Sequence, residues 1–163
     1  AALPYFLYGY DFNSLKKIIS IVTVSKISLK YALAKFNLID FALKGAKDPI
    51  SAFIKKYEKN SYFKTVVRDI KRIKTLKKKP HPLTVKKIGM ACSYPGTFNS
   101  AIHAIINSST YKEVVLKSIK AGGCSCSRAN FVGAYFSALQ GLDTIPKSWI
   151  SKTEVSKQII NQR

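Results

Sequence analysis

Three cysteines and two histidines are the side chains here best suited to chemistry, and their spacing restricts what they can do. Cys124 and Cys126 stand one residue apart in Gly122-Gly123-Cys124-Ser125-Cys126-Ser127-Arg128, and Cys92 lies upstream. An odd set of thiols without a C-x-x-C pair specifies neither a disulfide framework nor a zinc ribbon. A reducing, intracellular and cytoplasmic setting is the expectation. The Cys-Ser-Cys loop admits three readings. Its thiols can be small packing groups, or redox-sensitive thiols activated by the N-terminus of a following helix. They can also help to hold a soft metal, with His103 or His81 as the available further ligand. His103 falls between Ile102 and Ile105 on an apolar stripe, the setting of a hydrogen-bonded packing residue. His81, between Pro80 and Pro82, is expected at the surface. The eight acids are scattered. They offer no paired carboxylates for general acid–base work, and no Ser-His-Asp spacing occurs.

The elements that must position these groups are helices. Gly122 and Gly123 read as a helix stop and a tight turn, and the last clear helix runs from about Ser127 to Gln140, with Gly141 at its end. Ser127, Arg128 and Asn130 open that helix, whose free N–H groups suit a phosphate; Arg128 can equally pair with a carbonyl. Upstream, Leu15, Ile18, Ile19 and Val22 are spaced i, i+3, i+4 and i+7. A second apolar segment runs from Ile27 to Leu43, with Gly45 to terminate it. Asp48-Pro49 reads as N-cap and first helical residue before Ile50, Phe53, Ile54 and Tyr57. Phe63, Val66, Val67, Ile70 and Ile73 make another stripe. Lys77 to Pro82 breaks the pattern, giving a basic, proline-containing loop over 77–87. Ser93 to Thr97 is a turn ending in an N-cap, followed by Phe98, Ala101, Ile102 and Ile105, and a further helix carries Tyr111, Val114, Val115 and Ile119. No period-2 strand appears. The fold class is all-α, a compact array of short helices.

Composition narrows the function classes. The 163 residues carry a net charge of +20, yet 47% are hydrophobic, which is a foldable chain rather than a disordered one. The charge invites a nucleic-acid or anionic-membrane partner. However, 24 of the 28 basic residues are Lys and 4 are Arg, and specific phosphate and base readout leans on guanidinium. Nucleic acid is therefore not favoured. Thirteen basic residues lie between Lys55 and Lys87, where a solvated helix face explains them. No apolar run approaches the length of a membrane span. The start, Ala1-Ala2-Leu3-Pro4, reads like the middle of a longer chain.

Residues 90–152 carry a resemblance. Cys92-Ser93-Tyr94-Pro95-Gly96-Thr97-Phe98 resembles the C-S-x-P-G-[ST]-F turn-helix of the ADP-ribosylglycohydrolase family. Ala121-Gly122-Gly123-Cys124-Ser125-Cys126-Ser127-Arg128-Ala129 is similar to its glycine pair and metal loop. Gly133-Ala134 through Gly141, then Ile145-Pro146 and Trp149, is similar to its closing pattern. Ala2-Leu3-Pro4 and Ala32-Leu33-Ala34 look like the family's middle helices. Within the family the wording resembles the J-crystallin branch. On this resemblance, residues 1–163 are the C-terminal part of one such domain, and the N-terminal half of the same protein is a missing partner.

The resemblance implies an all-α hydrolase fold that cleaves ADP-ribosyl glycosidic bonds with paired divalent ions, usually Mg²⁺. Its ligands come from a Thr-Asp-Asp run and a C-terminal Asp-x-Asp-[ST] loop. Hard oxygen donors around hard cations orient water and neutralise developing charge. The sequence departs from this twice. It contains no Thr-Asp-Asp, and the loop's aspartate positions are Cys124 and Cys126, leaving Ser127 as the hydroxyl. Thiolate is soft and suits Mg²⁺ poorly. The implied site is then Gly122, Gly123, Ser127 and Arg128 toward substrate, with Cys124, Cys126 and Ser127 at the ligand positions. The expectation is a pseudoenzyme, structural or ADP-ribose-binding, and inactive as this chain alone. A metal-dependent hydrolase in the full-length protein is the alternative.

Overall fold

Apolar residues at helical spacing recur through almost the whole chain, and the regular structure they form is helical. The computed structural model describes residues 12–160; no strand occurs among them, and Ala2-Leu3-Pro4 lies outside them. The all-α expectation holds. The elements are α1 (Phe12–Val22), α2 (Lys26–Leu43), α3 (Pro49–Tyr57), α4 (Lys64–Thr75), α5 (His81–Ile88), α6 (Gly96–Ile106), α7 (Tyr111–Lys120) and α8 (Ser125–Gln140). A 3-10 turn, Leu142–Thr144, and two short helices, α9 (Lys147–Ser151) and α10 (Ser156–Ile160), follow. None of the described helices is long and apolar enough to cross a membrane.

Helices α2, α6 and α8 form the centre. Helix α8 packs against α7, α2 and α6, while α2 also touches α1, α3 and α4. Being covered on several sides, α2 buries Tyr31, Leu33, Ala34, Phe36, Leu38, Ile39 and Ala42, more than a single stripe can supply. Phe53, Ile70, Ile73, Phe98, Ala101, Ile102 and Val132 complete the core. Burying each large apolar side chain is worth about 1.5–3 kcal/mol, so these three helices hold the 89–97 and 122–128 segments firmly between them.

The punctuation behaves largely as the residue types dictate. Asp48 caps α3 by accepting from the Ser51 N–H at 3.0 Å, and Gly45, at φ +80, follows the end of α2. Four expectations shift. Val22 is 76% exposed although it lies on the same stripe as buried Leu15 and Ile19, because α1 packs on α2 without being covered at its end. The loop expected over 77–87 ends at Pro80: Pro80 is the N-cap of α5 and Pro82 lies in its first turn, where a missing N–H costs nothing. His81 is consequently turned inward and buried, not exposed. Thr97 does not cap α6; the helix begins at Gly96 after Pro95, and Thr97 is buried within its first turn. The thirteen basic residues between Lys55 and Lys87 are all exposed, in keeping with a solvated face.

Candidate functional site

The loop between α7 and α8 is built on two glycines in the left-handed region, Gly122 at φ +71 and Gly123 at φ +65. Gly123 also has no room for a side chain: a Cβ there would lie 2.4 Å from the Met90 carbonyl oxygen. That carbonyl accepts the Cys124 N–H at 2.7 Å. The 122–124 turn is thereby fixed against the 89–92 connection, which closes just as tightly on α6 through Gly89 and Gly96. Ser100 Oγ donates to the Gly89 carbonyl at 2.8 Å, holding that corner.

Helix α8 starts two residues earlier than the periodicity suggests, with Cys124 as N-cap and Cys126 and Ser127 in the first turn. A cleft of about 410 Å³ opens here, lined by Lys35, Cys92, Tyr94, Thr97, Cys126, Ser127 and Asn130. Ser127 Oγ lies 3.1 Å from Cys124 Sγ. The Cys124 thiol is lowered to about 7, chiefly by hydrogen bonds from Cys92 and Ser127, with nearby Arg128 adding to the effect; the Cys92 thiol is raised in turn by its bond to Cys124. Lys35, largely removed from water beneath the cleft, is lowered to about 8 by burial. Its ammonium lies 5.1 Å from the Tyr94 ring centroid and 5.2 Å from that of Phe131, a cation–π placement that offsets part of the lost hydration.

Of the residues singled out from sequence, Cys126 and Ser127 line the cleft, Cys124 sits behind Ser127, and Gly122 and Gly123 shape the turn. Arg128 takes the structural alternative. It is fully buried, and its Nη2 donates to the carbonyl oxygens of Ser118 and Gly122, strapping the end of α7 to the loop. His103 is a buried packing residue, as its stripe implies. Its Nε2–H donates to the Leu76 carbonyl at 3.0 Å, so its Nδ1 is the bare nitrogen that accepts from His81 Nδ1 at 2.9 Å. Neither histidine joins the thiols: among the described residues no group of three His, Cys, Asp or Glu is arranged to hold a metal. Cys92, Lys35 and Thr97 line the cleft although the site implied by the sequence did not include them. Cys92 carried the signal of being the odd third thiol; Lys35, one of 24 lysines, carried none.

The donor set does not fit Mg²⁺. Sulfur, hydroxyl and amide groups surround the cleft together with the half-buried Lys35 ammonium, and no carboxylate is among its lining residues. A hard dication demands oxygen ligands, usually with negative charge. A second cleft, about 580 Å³, lies further along α2 between Lys30, Tyr31, Arg68, Arg72 and Pro95. Its one carboxylate, Asp69, already accepts from the Tyr31 hydroxyl at 2.5 Å.

An all-helical chain with a glycine-pair loop leading into a central helix is a description that family comparison makes specific. The ADP-ribosylglycohydrolase family model matches residues 21–162, and the chain belongs to that family. Among characterised proteins it is 40% identical over 76 residues to Crystallin J1A of Tripedalia cystophora, and 34% identical over 76 residues to Crystallin J1B of the same animal. Each match covers 47% of this chain but only 24% of the relative.

Proposed function

We propose that the protein to which this chain belongs is a non-catalytic member of the ADP-ribosylglycohydrolase family, a pseudoenzyme that keeps the family's cleft without its metal chemistry. The observation that carries this reading is the lining of the cleft: Cys126, Ser127 and Cys92 with Lys35 below, and no carboxylate. A half-buried ammonium opposes a second cation, and thiols are the wrong donors for one. The likeness to two crystallins supports a role in which the fold itself, rather than turnover, is used.

Binding of an ADP-ribosyl group, rather than purely structural use, is supported by one further feature. Thr97 lines the cleft and its Oγ1 has no hydrogen-bond partner, an unusual condition for a buried hydroxyl. Together with the first-turn N–H groups of α8, it offers donors of the kind a diphosphate or ribose accepts from. Gly122 and Gly123 shape the turn that leads into that first turn of α8, and Arg128 holds the turn's backbone in place.

The test uses the full-length protein. Isothermal titration with Mg²⁺ is expected to give no binding heat, and an ADP-ribosylated acceptor is expected to release no ADP-ribose above background, with or without the ion. ADP-ribose itself is expected to bind to the wild type and more weakly to Thr97→Val. Mg²⁺-dependent release of ADP-ribose by the wild type would overturn the reading in favour of an active hydrolase.

A further inference from the structure

We infer that the second cleft, between α2 and α4, binds a small organic phosphate monoester, with Arg68, Arg72 and Lys30 as the side chains that hold the anion. The helical repeat brings the site together. Ile27, Lys30 and Tyr31 are spaced i, i+3 and i+4 on α2, and Thr65, Arg68, Asp69 and Arg72 are spaced i, i+3, i+4 and i+7 on α4. Each set is one helix face, and the two faces line the same cleft of about 580 Å³, with Pro95 from the turn before α6. Helix α4 already buries Val66, Val67, Ile70 and Ile73 in the core. A second face turned toward a neighbouring helix would ordinarily be apolar; this one carries two guanidiniums. The choice of cation is selective. The basic residues between Lys55 and Lys87 are all Lys except Arg68 and Arg72, and those two are the ones that line the cleft.

The guanidiniums are available to a ligand. Among the described residues neither arginine side chain makes a hydrogen bond or an ion pair. The carboxylate of the cleft does not consume them, because Asp69 is buried and its Oδ2 accepts from the Tyr31 hydroxyl at 2.5 Å. Lys30 stands on the α2 wall, its ammonium 5.4 Å from the Tyr62 ring centroid. Two planar forks and an ammonium offer more donors than the two oxygens of a carboxylate can use. They suit the three terminal oxygens and near-double charge of a phosphate monoester. Ile27 and Pro95 add apolar lining, and the volume falls in the range of small-molecule sites, about 300–1,000 Å³, so the phosphate is carried on an organic body. No residue lines both clefts, and this inference is independent of whether the first cleft binds ADP-ribose.

The experiment titrates the full-length protein with phenyl phosphate, inorganic phosphate and benzoate by calorimetry at pH 7.5 and about 0.15 M salt, where long-range attraction to the basic surface is screened. Phenyl phosphate is expected to bind at one site, about tenfold more tightly than either of the other two. Arg68→Gln and Arg72→Gln should each weaken it by about tenfold or more, the loss of one charge-assisted fork. Lys74→Gln removes the same charge from α4 outside the cleft and should leave binding unchanged, as should Thr97→Val in the first cleft. A measurement on the wild type needs no variant to fold: amide shifts on adding phenyl phosphate should concentrate at residues 27–31 and 65–72. Absence of binding, benzoate binding as tightly as phenyl phosphate, an equal loss in Lys74→Gln, or shifts confined to residues 94–97 and 126–130 would each overturn the inference.

Discussion

Arg128 illustrates how one side chain can serve a site without reaching it. Its guanidinium is completely buried, which lowers its affinity for a proton, and its Nη2 bridges Ser118 and Gly122. Arg128→Met should cost about 3 kcal/mol, because two carbonyls lose a charge-assisted donor in a dry setting. Arg128→Lys should recover less than half, since an ammonium cannot reproduce the planar fork; urea denaturation of the three proteins checks both. The glycines give a second comparison. Gly123→Ala forces a Cβ to within 2.4 Å of backbone, whereas Gly45→Ala meets nothing within 4 Å although its φ is also positive. About 2–3 kcal/mol is expected for Gly123→Ala and about 1 kcal/mol for Gly45→Ala by thermal melts. At this scale the sequence was partly legible. A glycine pair before a serine and an arginine announces a turn and a helix start. Nothing local announces that Cys124 meets Met90, because that contact is made across the fold.

The elements were more legible, because a period of 3.6 survives any tertiary detail: the stripe of α4 is its buried face, and the stripe of α6 is buried within a helix covered along all of Thr97 to Ile105. The misreadings have physical causes. Proline stops one helix by the same missing N–H that lets it begin another, so Pro80-His81-Pro82 opened α5 instead of extending a loop. This brings His81 onto His103, rings 5.1 Å apart and nearly parallel. The facing Nδ1 atoms can share one proton and cannot both carry one. Burial therefore lowers both: His81 falls to about 3, helped by His103, Arg128 and Lys117, and His103 is lowered as well. The sign follows from proton counting. Below about pH 6.5 the unfolded chain protonates both rings while the folded chain does not, so stability is lost as pH falls from 6.5 toward 3. The slope should approach 1.4 kcal/mol per pH unit for each histidine while its folded form stays neutral. Denaturant midpoints measured at pH 7, 6 and 5 check this, and His81→Leu should flatten the profile even though it lowers stability at pH 7.

For the molecule as a whole, two surface properties pull in opposite directions. The net charge of +20 repels one copy from another. At the turn from α1 to α2, however, Ile21, Val22, Val24 and Ile27 are 84%, 76%, 97% and 57% exposed, a contiguous apolar corner of the sort that favours association. Which one wins depends on ionic strength. At about 0.01 M salt the screening length is near 30 Å, and at about 0.15 M it is near 8 Å, short enough to silence repulsion between copies while leaving apolar contact untouched. The 163-residue chain should therefore be monomeric at low salt and self-associate as salt rises. The substitutions Ile21→Lys and Val24→Lys together should abolish the effect without changing the melting temperature by more than about 2 °C, because both positions are solvent-facing. Sedimentation velocity across a salt series measures it. The direction of the dependence is the discriminating quantity, since capture of a polyanion by Lys55–Lys87 would weaken with salt, by about 0.9 log units of affinity per phosphate for each tenfold rise. Association that grew stronger as salt was removed would place the driving force on a polyanion bridging the basic helix faces, and the apolar corner would then be an incidental feature of the surface.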